Sequence, residues 1–109
     1  LRRFIDLGVK VAITELDVGS ILSNDPQSMT KQAKIYESVV NACFELNLEY
    51  GKPVCDSIVV WGLADNSTWL YYTTDNPGHP LLFSRWGEPN PSYYVILASY
   101  LKYLSALTK

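Results

Sequence analysis

Two short runs, Val9-Lys10-Val11-Ala12-Ile13-Thr14-Glu15 and Ser57-Ile58-Val59-Val60-Trp61-Gly62-Leu63, constrain this chain more than any other feature. Each has strand length, is rich in β-branched residues and is apolar on both parities. A strand half exposed to water alternates apolar with polar, so this pattern belongs to strands covered on both faces, as in parallel sheets. Between the runs, Met29, Ala33, Tyr36, Val40 and Cys43 recur at intervals of four, three, four and three. That spacing predicts an amphipathic helix of about five turns. Asp25-Pro26 offers an N-cap with proline in the first helical position, and Gly51-Lys52-Pro53 ends the helix. Strand, helix and strand in this order form a crossover unit.

The flanks extend the same order. Leu1 to Leu7 reads as the end of a helix stopped by Gly8, which implies that the sequence is a piece of a longer protein. After Leu63 come three clusters of turn chemistry, Asp65-Asn66-Ser67-Thr68, Asp75-Asn76-Pro77-Gly78 and Glu88-Pro89-Asn90-Pro91, interleaved with Trp69, Tyr71, Tyr72, Phe83 and Trp86. Long structured loops of this kind usually carry function. Asn90-Pro91 repeats the cap-plus-proline start, and Tyr94, Leu97, Leu101 and Leu104 carry a closing helix through about Leu107. Two parallel strands leave edges with unpaired backbone groups, so further strands must complete the sheet. A (β/α)8 barrel spends roughly 250 residues on eight units, so the expected fold is α/β, the last two βα units of such a barrel, incomplete without the remaining strands.

Composition narrows the partners. Nine Lys and Arg against eleven Asp and Glu give a net charge of −2, and with no basic run nothing recommends nucleic acid or an anionic membrane surface. Apolar runs such as Ile58–Trp61 are far shorter than the roughly 18 residues a membrane span needs. Two cysteines, Cys43 and Cys55, allow one bridge or a pair of buried free thiols, and exclude a four-thiolate metal site. No metal ion or cofactor is expected. The 13% aromatic share, eight Tyr, three Trp and three Phe, invites a stacking surface for a flat ligand.

Barrels place reacting groups at the carboxyl ends of strands, which singles out Glu15 after the first run, and Trp61 with Asp65 after the second. If Glu15 points into the barrel, strict alternation sends Ile13 and Val11 inward beneath it and leaves Ala12 and Thr14 under the helices. An acid at such a place could equally cap a helix or pair with a cation.

Four strings in order carry a resemblance that favours the first of these readings. Ile13-Thr14-Glu15-Leu16-Asp17, Trp61-Gly62-Leu63-Ala64-Asp65-Asn66-Ser67-Thr68-Trp69, Pro80-Leu81-Leu82-Phe83 and Pro89-Asn90-Pro91-Ser92-Tyr93-Tyr94 together resemble the C-terminal part of family ten glycoside hydrolases, the endo-β-1,4-xylanases. The resemblance covers nearly the whole chain and implies that residues 1–109 run from barrel strand seven to helix eight. It implies that Glu15 is the nucleophile of a retaining mechanism and that Trp61 and Trp69 enclose the sugar beside the scissile bond. It also implies a Cys43–Cys55 disulfide, a secreted or cell-envelope location, and xylan or xylo-oligosaccharide as the partner, with the other barrel strands supplied by another chain or segment. The acid/base glutamate of the family stands in an Asn-Glu pair that this sequence lacks. Asp17 is expected to hold the loop and Asp65 to fix the turn before Trp69, while Tyr93, Tyr94, Tyr100 and Tyr103 are expected to pack. Leu70 and Ser84 stand where relatives commonly have a basic and an acidic residue. A non-catalytic carbohydrate-binding piece using the same tryptophans is the alternative.

Overall fold

The computed structural model describes residues 1–19, 25–73 and 78–109. Asp75, Asn76 and Pro77, read above as part of a turn, lie outside the described residues. A short helix α1 (Arg2–Asp6) leads into strand β1 (Val11–Leu16), followed by helix α2 (Pro26–Tyr50), strand β2 (Cys55–Val60), two single turns of 3₁₀ helix at Asp65–Ser67 and Trp69–Tyr72, and helix α3 (Pro91–Leu107). β1 and β2 pair in parallel, with α2 as the crossover between them.

Helix α2 has 25 residues, about seven turns rather than five. Both ends follow from local chemistry. The Asp25 carboxylate accepts the Ser28 N–H at 3.1 Å and Pro26 opens the helix, while Gly51 at φ 64° takes the left-handed cap. The extra turns carry Leu46 and Asn47 to the foot of the sheet, where Leu46 joins Ile5 and Val54 in a buried cluster against which Val11 and Tyr50 pack. Asn47 is buried beside it. Its amide donates to Cys55 O at 2.9 Å and accepts from Cys55 N–H at 2.8 Å, satisfying the first residue of β2 as a neighbouring strand would. The sulfurs of Cys43 and Cys55 are within bonding distance there, with Cα atoms 5.2 Å apart.

Strict alternation does not hold in β1. Val11 packs on the helix-side cluster and Ile13 pairs with Ile58, which faces α2 and α3, so Val11 and Ile13 lie under the helices rather than toward a barrel interior. The partners Ile13↔Ile58 and Leu16↔Val60 span three steps on β1 but two on β2. This one-residue bulge puts Thr14 and Glu15 opposite Val59, and all three are exposed on the open face of the sheet. Ala12 and Thr14 therefore share the open face, and Glu15 joins them because of the bulge.

Helix α3 lies along α2 with Phe44 stacked on Tyr103, ring centroids 4.4 Å apart. Its inward face is Ser92, Ile96, Ser99, Tyr103 and Ala106, again at intervals of four, three, four and three. Tyr93 also packs, 5.3 Å from Phe83. The stripe Tyr94, Leu97, Leu101 and Leu104 that marked the helix in the sequence faces outward and is 38–58% exposed, as is Tyr100. Tyr94 and Tyr100 are thus packing residues only in part. A helix apolar on two faces is one built to lie between neighbours.

Candidate active site at the carboxyl ends of the strands

Glu15 and Trp61 stand at the carboxyl ends of adjacent strands. Trp61 follows the last residue of β2, and its N–H donates to Leu16 O at 2.8 Å, beside Glu15 in the chain. The chain then turns at Gly62, whose φ of 131° is unfavourable to any side chain and whose added Cβ would stand 2.7 Å from Leu81 Cδ1. Only glycine lets Leu81, which is fully buried, sit under the turn.

Trp69 is held from the opposite side. Thr68 is buried and its hydroxyl accepts the Leu70 N–H at 3.3 Å, starting the 3₁₀ turn that carries the indole. The indole N–H donates to Asp17 Oδ2 at 2.6 Å. Glu15, Trp61 and Trp69 are therefore gathered at the end of the sheet where both strands finish. Cys43 and Cys55 are remote from them. Six residues of strand put Cys55 about 20 Å from Trp61.

Beneath this end lies a buried polar lattice. Asp65 is 4% exposed and accepts from Leu81 N–H and from the Asn90 amide, each at 2.9 Å, with His79 Nδ1 also 2.9 Å from its Oδ2. Asn90 donates in addition to Leu81 O at 2.9 Å. From α2, Gln32 donates its amide to both Val18 O and His79 O, and the buried hydroxyl of Tyr36 donates to Pro80 O. Val18 N–H donates to Pro80 O at 3.1 Å. The segment after Glu15 and the segment from His79 to Leu81 are thereby tied to each other and to α2. Burial, with the nearby charge of Asp17, pushes the Tyr36 hydroxyl well above its ordinary pKa, so it stays a donor.

Sequence reasoning named Asp17 and Asp65 as holding groups but missed Gln32, Tyr36 and Asn90. Asn90 was expected as a helix cap. The helix does begin there, yet the Asn90 side chain makes no cap bond and turns to Asp65 and Leu81 instead. Gln32 and Tyr36 could have been suspected from their place on the inward face of α2.

Parallel strands backed by helices, with a carboxylate and indoles where the strands end, match the carboxyl-end rim of an α/β barrel. The chain belongs to glycosyl hydrolase family 10, whose model matches residues 1–99. It is 33% identical over 96 residues to endo-1,4-beta-xylanase Y of Acetivibrio thermocellus, covering 88% of this chain and 8% of that protein. Among solved structures it resembles the glycosylated endo-beta-1,4-xylanase of Gloeophyllum trabeum, with TM-score 0.77 and 32% identity over 92% of this chain and 30% of that one. It also resembles xylanase 10B of Thermotoga petrophila RKU-1 in complex with xylobiose, with TM-score 0.76 and 29% identity over 93% of this chain and 29% of that one. The chain spans 8 to 29% of the length of the first curated relatives it matches. Its fold is thus part of a TIM barrel.

Proposed function

We propose that this chain supplies strand seven to helix eight of a retaining endo-1,4-β-xylanase barrel, in which Glu15 is the nucleophile and Trp61 and Trp69 wall the sugar next to the cleaved bond. The observation that carries this reading is the bulge in β1, which turns Glu15 out of the helix-facing row and onto the open face, at the end of the sheet where Trp61 follows β2. Apart from a bulge, Glu15 would share the side of Val11 and Ile13. The apolar surfaces left open, Val59 on the sheet and the outer stripe of α3, support the presence of further barrel segments around these two strands.

The chemistry follows from the residue types. An ionised Glu15 attacks the anomeric carbon as the glycosidic oxygen leaves, forming a glycosyl ester, and water later releases the sugar with its configuration retained. A second carboxyl, about 5 to 5.5 Å away, must protonate the leaving oxygen and then activate that water. Asp17 and Asp65 do not suit this role, since one accepts the Trp69 indole N–H and the other is buried in the lattice. The acid/base group therefore comes from the remaining strands. The indoles offer flat apolar faces to a pyranose ring. The substrate is xylan or xylo-oligosaccharide, the class named for the structural relative with xylobiose. A Cys43–Cys55 disulfide fits a secreted or cell-envelope enzyme.

Proton NMR of products released from xylo-oligosaccharides by the enzyme containing these residues tests the reading. The β-anomer should appear first. First release of the α-anomer would overturn it, and so would full activity in Glu15→Gln.

A further inference from the structure

The turn from Ser84 to Glu88 is built more firmly than a connection requires. Ser84 N–H donates to Glu88 O at 2.7 Å and Gly87 N–H to Ser84 O at 2.9 Å. The Ser84 hydroxyl accepts from the N–H groups of both Trp86 and Glu88 at 3.2 Å. Gly87 takes φ 80°, and the base of the turn is pinned where Phe83 bridges Ala64 and Pro89. At its tip Trp86 is 78% exposed, with the Arg85 guanidinium 4.9 Å from the ring centroid. One ring face is covered by the cation and the other is open. Within this chain the turn holds the indole without packing it.

The position is informative as well. The turn leads directly into Pro91 at the start of α3, and a helix following a parallel strand starts at the carboxyl end of the sheet. Trp86 therefore stands on the same end of the molecule as Glu15, Trp61 and Trp69.

We propose that Trp86, backed by Arg85, is an additional sugar platform that stacks one pyranose ring of a β-1,4-linked polysaccharide whose neighbouring rings occupy the cleft. The proposal rests on the xylanase reading and extends it to how a long substrate is held. Equatorially linked pyranoses present flat C–H faces, and an indole fixed in place binds them at little entropic cost. One such contact is weak alone. It gains effect when the same polymer is already held elsewhere on the surface, because the second contact is then intramolecular. Ser84 is the residue whose hydroxyl organises the turn.

The test uses the whole enzyme and compares wild type with Trp86→Ala and Trp86→Phe. Affinity electrophoresis through soluble xylan reads polymer binding, and an aryl β-xylobioside reads the cleft alone. Trp86→Ala should raise the dissociation constant for xylan about three- to tenfold, the scale of one lost aromatic contact, with Trp86→Phe recovering part of it. Kinetics on the xylobioside should be unchanged. Unaltered migration in xylan would overturn the proposal, as would an equal loss on the short substrate. If the wild type neither cleaves nor binds xylan, yet Trp86-dependent retardation appears in a β-1,4-glucan, the xylanase reading fails while the platform stands.

Discussion

The indole N–H of Trp69 is bonded to the carboxylate of Asp17 at 2.6 Å, across 52 positions of sequence. This bond joins the loop after β2 to the segment two residues beyond Glu15, so the carboxylate and one aromatic wall share a support. Asp17→Ala should therefore raise KM for xylo-oligosaccharides about three- to tenfold, less than a fully buried charged hydrogen bond would, and lower kcat less. Asp17→Asn keeps an acceptor and should have a smaller effect. Steady-state kinetics on a graded series of oligosaccharides would show it, and an unchanged KM in the alanine variant would argue against the shared support.

Asp65 holds three donors at once, so Asp65→Ala leaves the Leu81 N–H, the Asn90 amide and the His79 ring without that acceptor in a buried place. A loss of roughly 2 to 4 kcal/mol in unfolding free energy is expected, since the stranded Leu81 N–H costs about 1 to 3 kcal/mol and the bonds lost by Asn90, which keeps Leu81 O, and by the partly exposed His79 add less. Urea denaturation measures it. A loss below about 1 kcal/mol, within the range of an ordinary surface change, would contradict the lattice as described.

Tyr36 gives a signed pH dependence. Its hydroxyl is buried and its pKa raised, first by burial and then by Asp17, whereas an unfolded tyrosine ionises near pH 10. Below about pH 10 both states hold the proton and the stabilisation is complete. Above it the unfolded chain releases a proton that the folded chain keeps, so stability falls by up to about 1.4 kcal/mol per pH unit until the folded pKa is passed. Tyr50, raised by its bond to Asp6, adds in the same direction. Tyr36→Phe should lose about 1 kcal/mol at neutral pH and show a shallower alkaline decline. Chemical denaturation at a series of pH values checks both; parallel declines in the two proteins would exclude Tyr36 as the source.

The order of elements was legible because periodicity and end signals agreed. Asp25-Pro26, Gly51 and Asn90-Pro91 mark real boundaries, since caps and left-handed glycines are local chemistry that the sequence states outright. Other features depended on contacts between distant residues. The bulge at Thr14-Glu15 arises from pairing with β2, and alternation read along one strand gives the wrong face for Val11 and Ile13. The visible stripe on α3 proved to be its outer face, because the inward row is the quieter one of Ser92, Ile96, Ser99, Tyr103 and Ala106, with Tyr103 stacked on Phe44 of α2. The partners of Gln32 and Asn47 lie on distant segments, Val18 and His79 for one and Cys55 for the other, so the sequence of α2 alone does not name them. For the candidate site, Glu15, Trp61 and Trp69 stand in the motif strings, as do Asp65, Leu81 and Asn90 of the lattice beneath them, whereas Gln32 and Tyr36, which tie that lattice to α2, lie in none of those strings.

Cys43 and Cys55 should titrate as no free thiols in denaturant without reductant. A bridge over a separation of 12 residues should contribute on the order of 2 to 3 kcal/mol by restricting the unfolded chain. Two free thiols in the isolated enzyme would exclude the bridge and remove the support it lends to a secreted location.

The most direct measurement concerns Glu15 itself. A 2-deoxy-2-fluoro-xylobioside with a good leaving group should trap the glycosyl ester on the enzyme, because the fluorine slows both steps and the activated leaving group restores the first. Peptide mapping of the labelled protein by mass spectrometry then identifies the nucleophile. The label is expected on Glu15, in the segment Ile13-Thr14-Glu15-Leu16-Asp17; a label on any other carboxylate, or no stoichiometric label in an enzyme that still turns over xylan, would contradict the assignment.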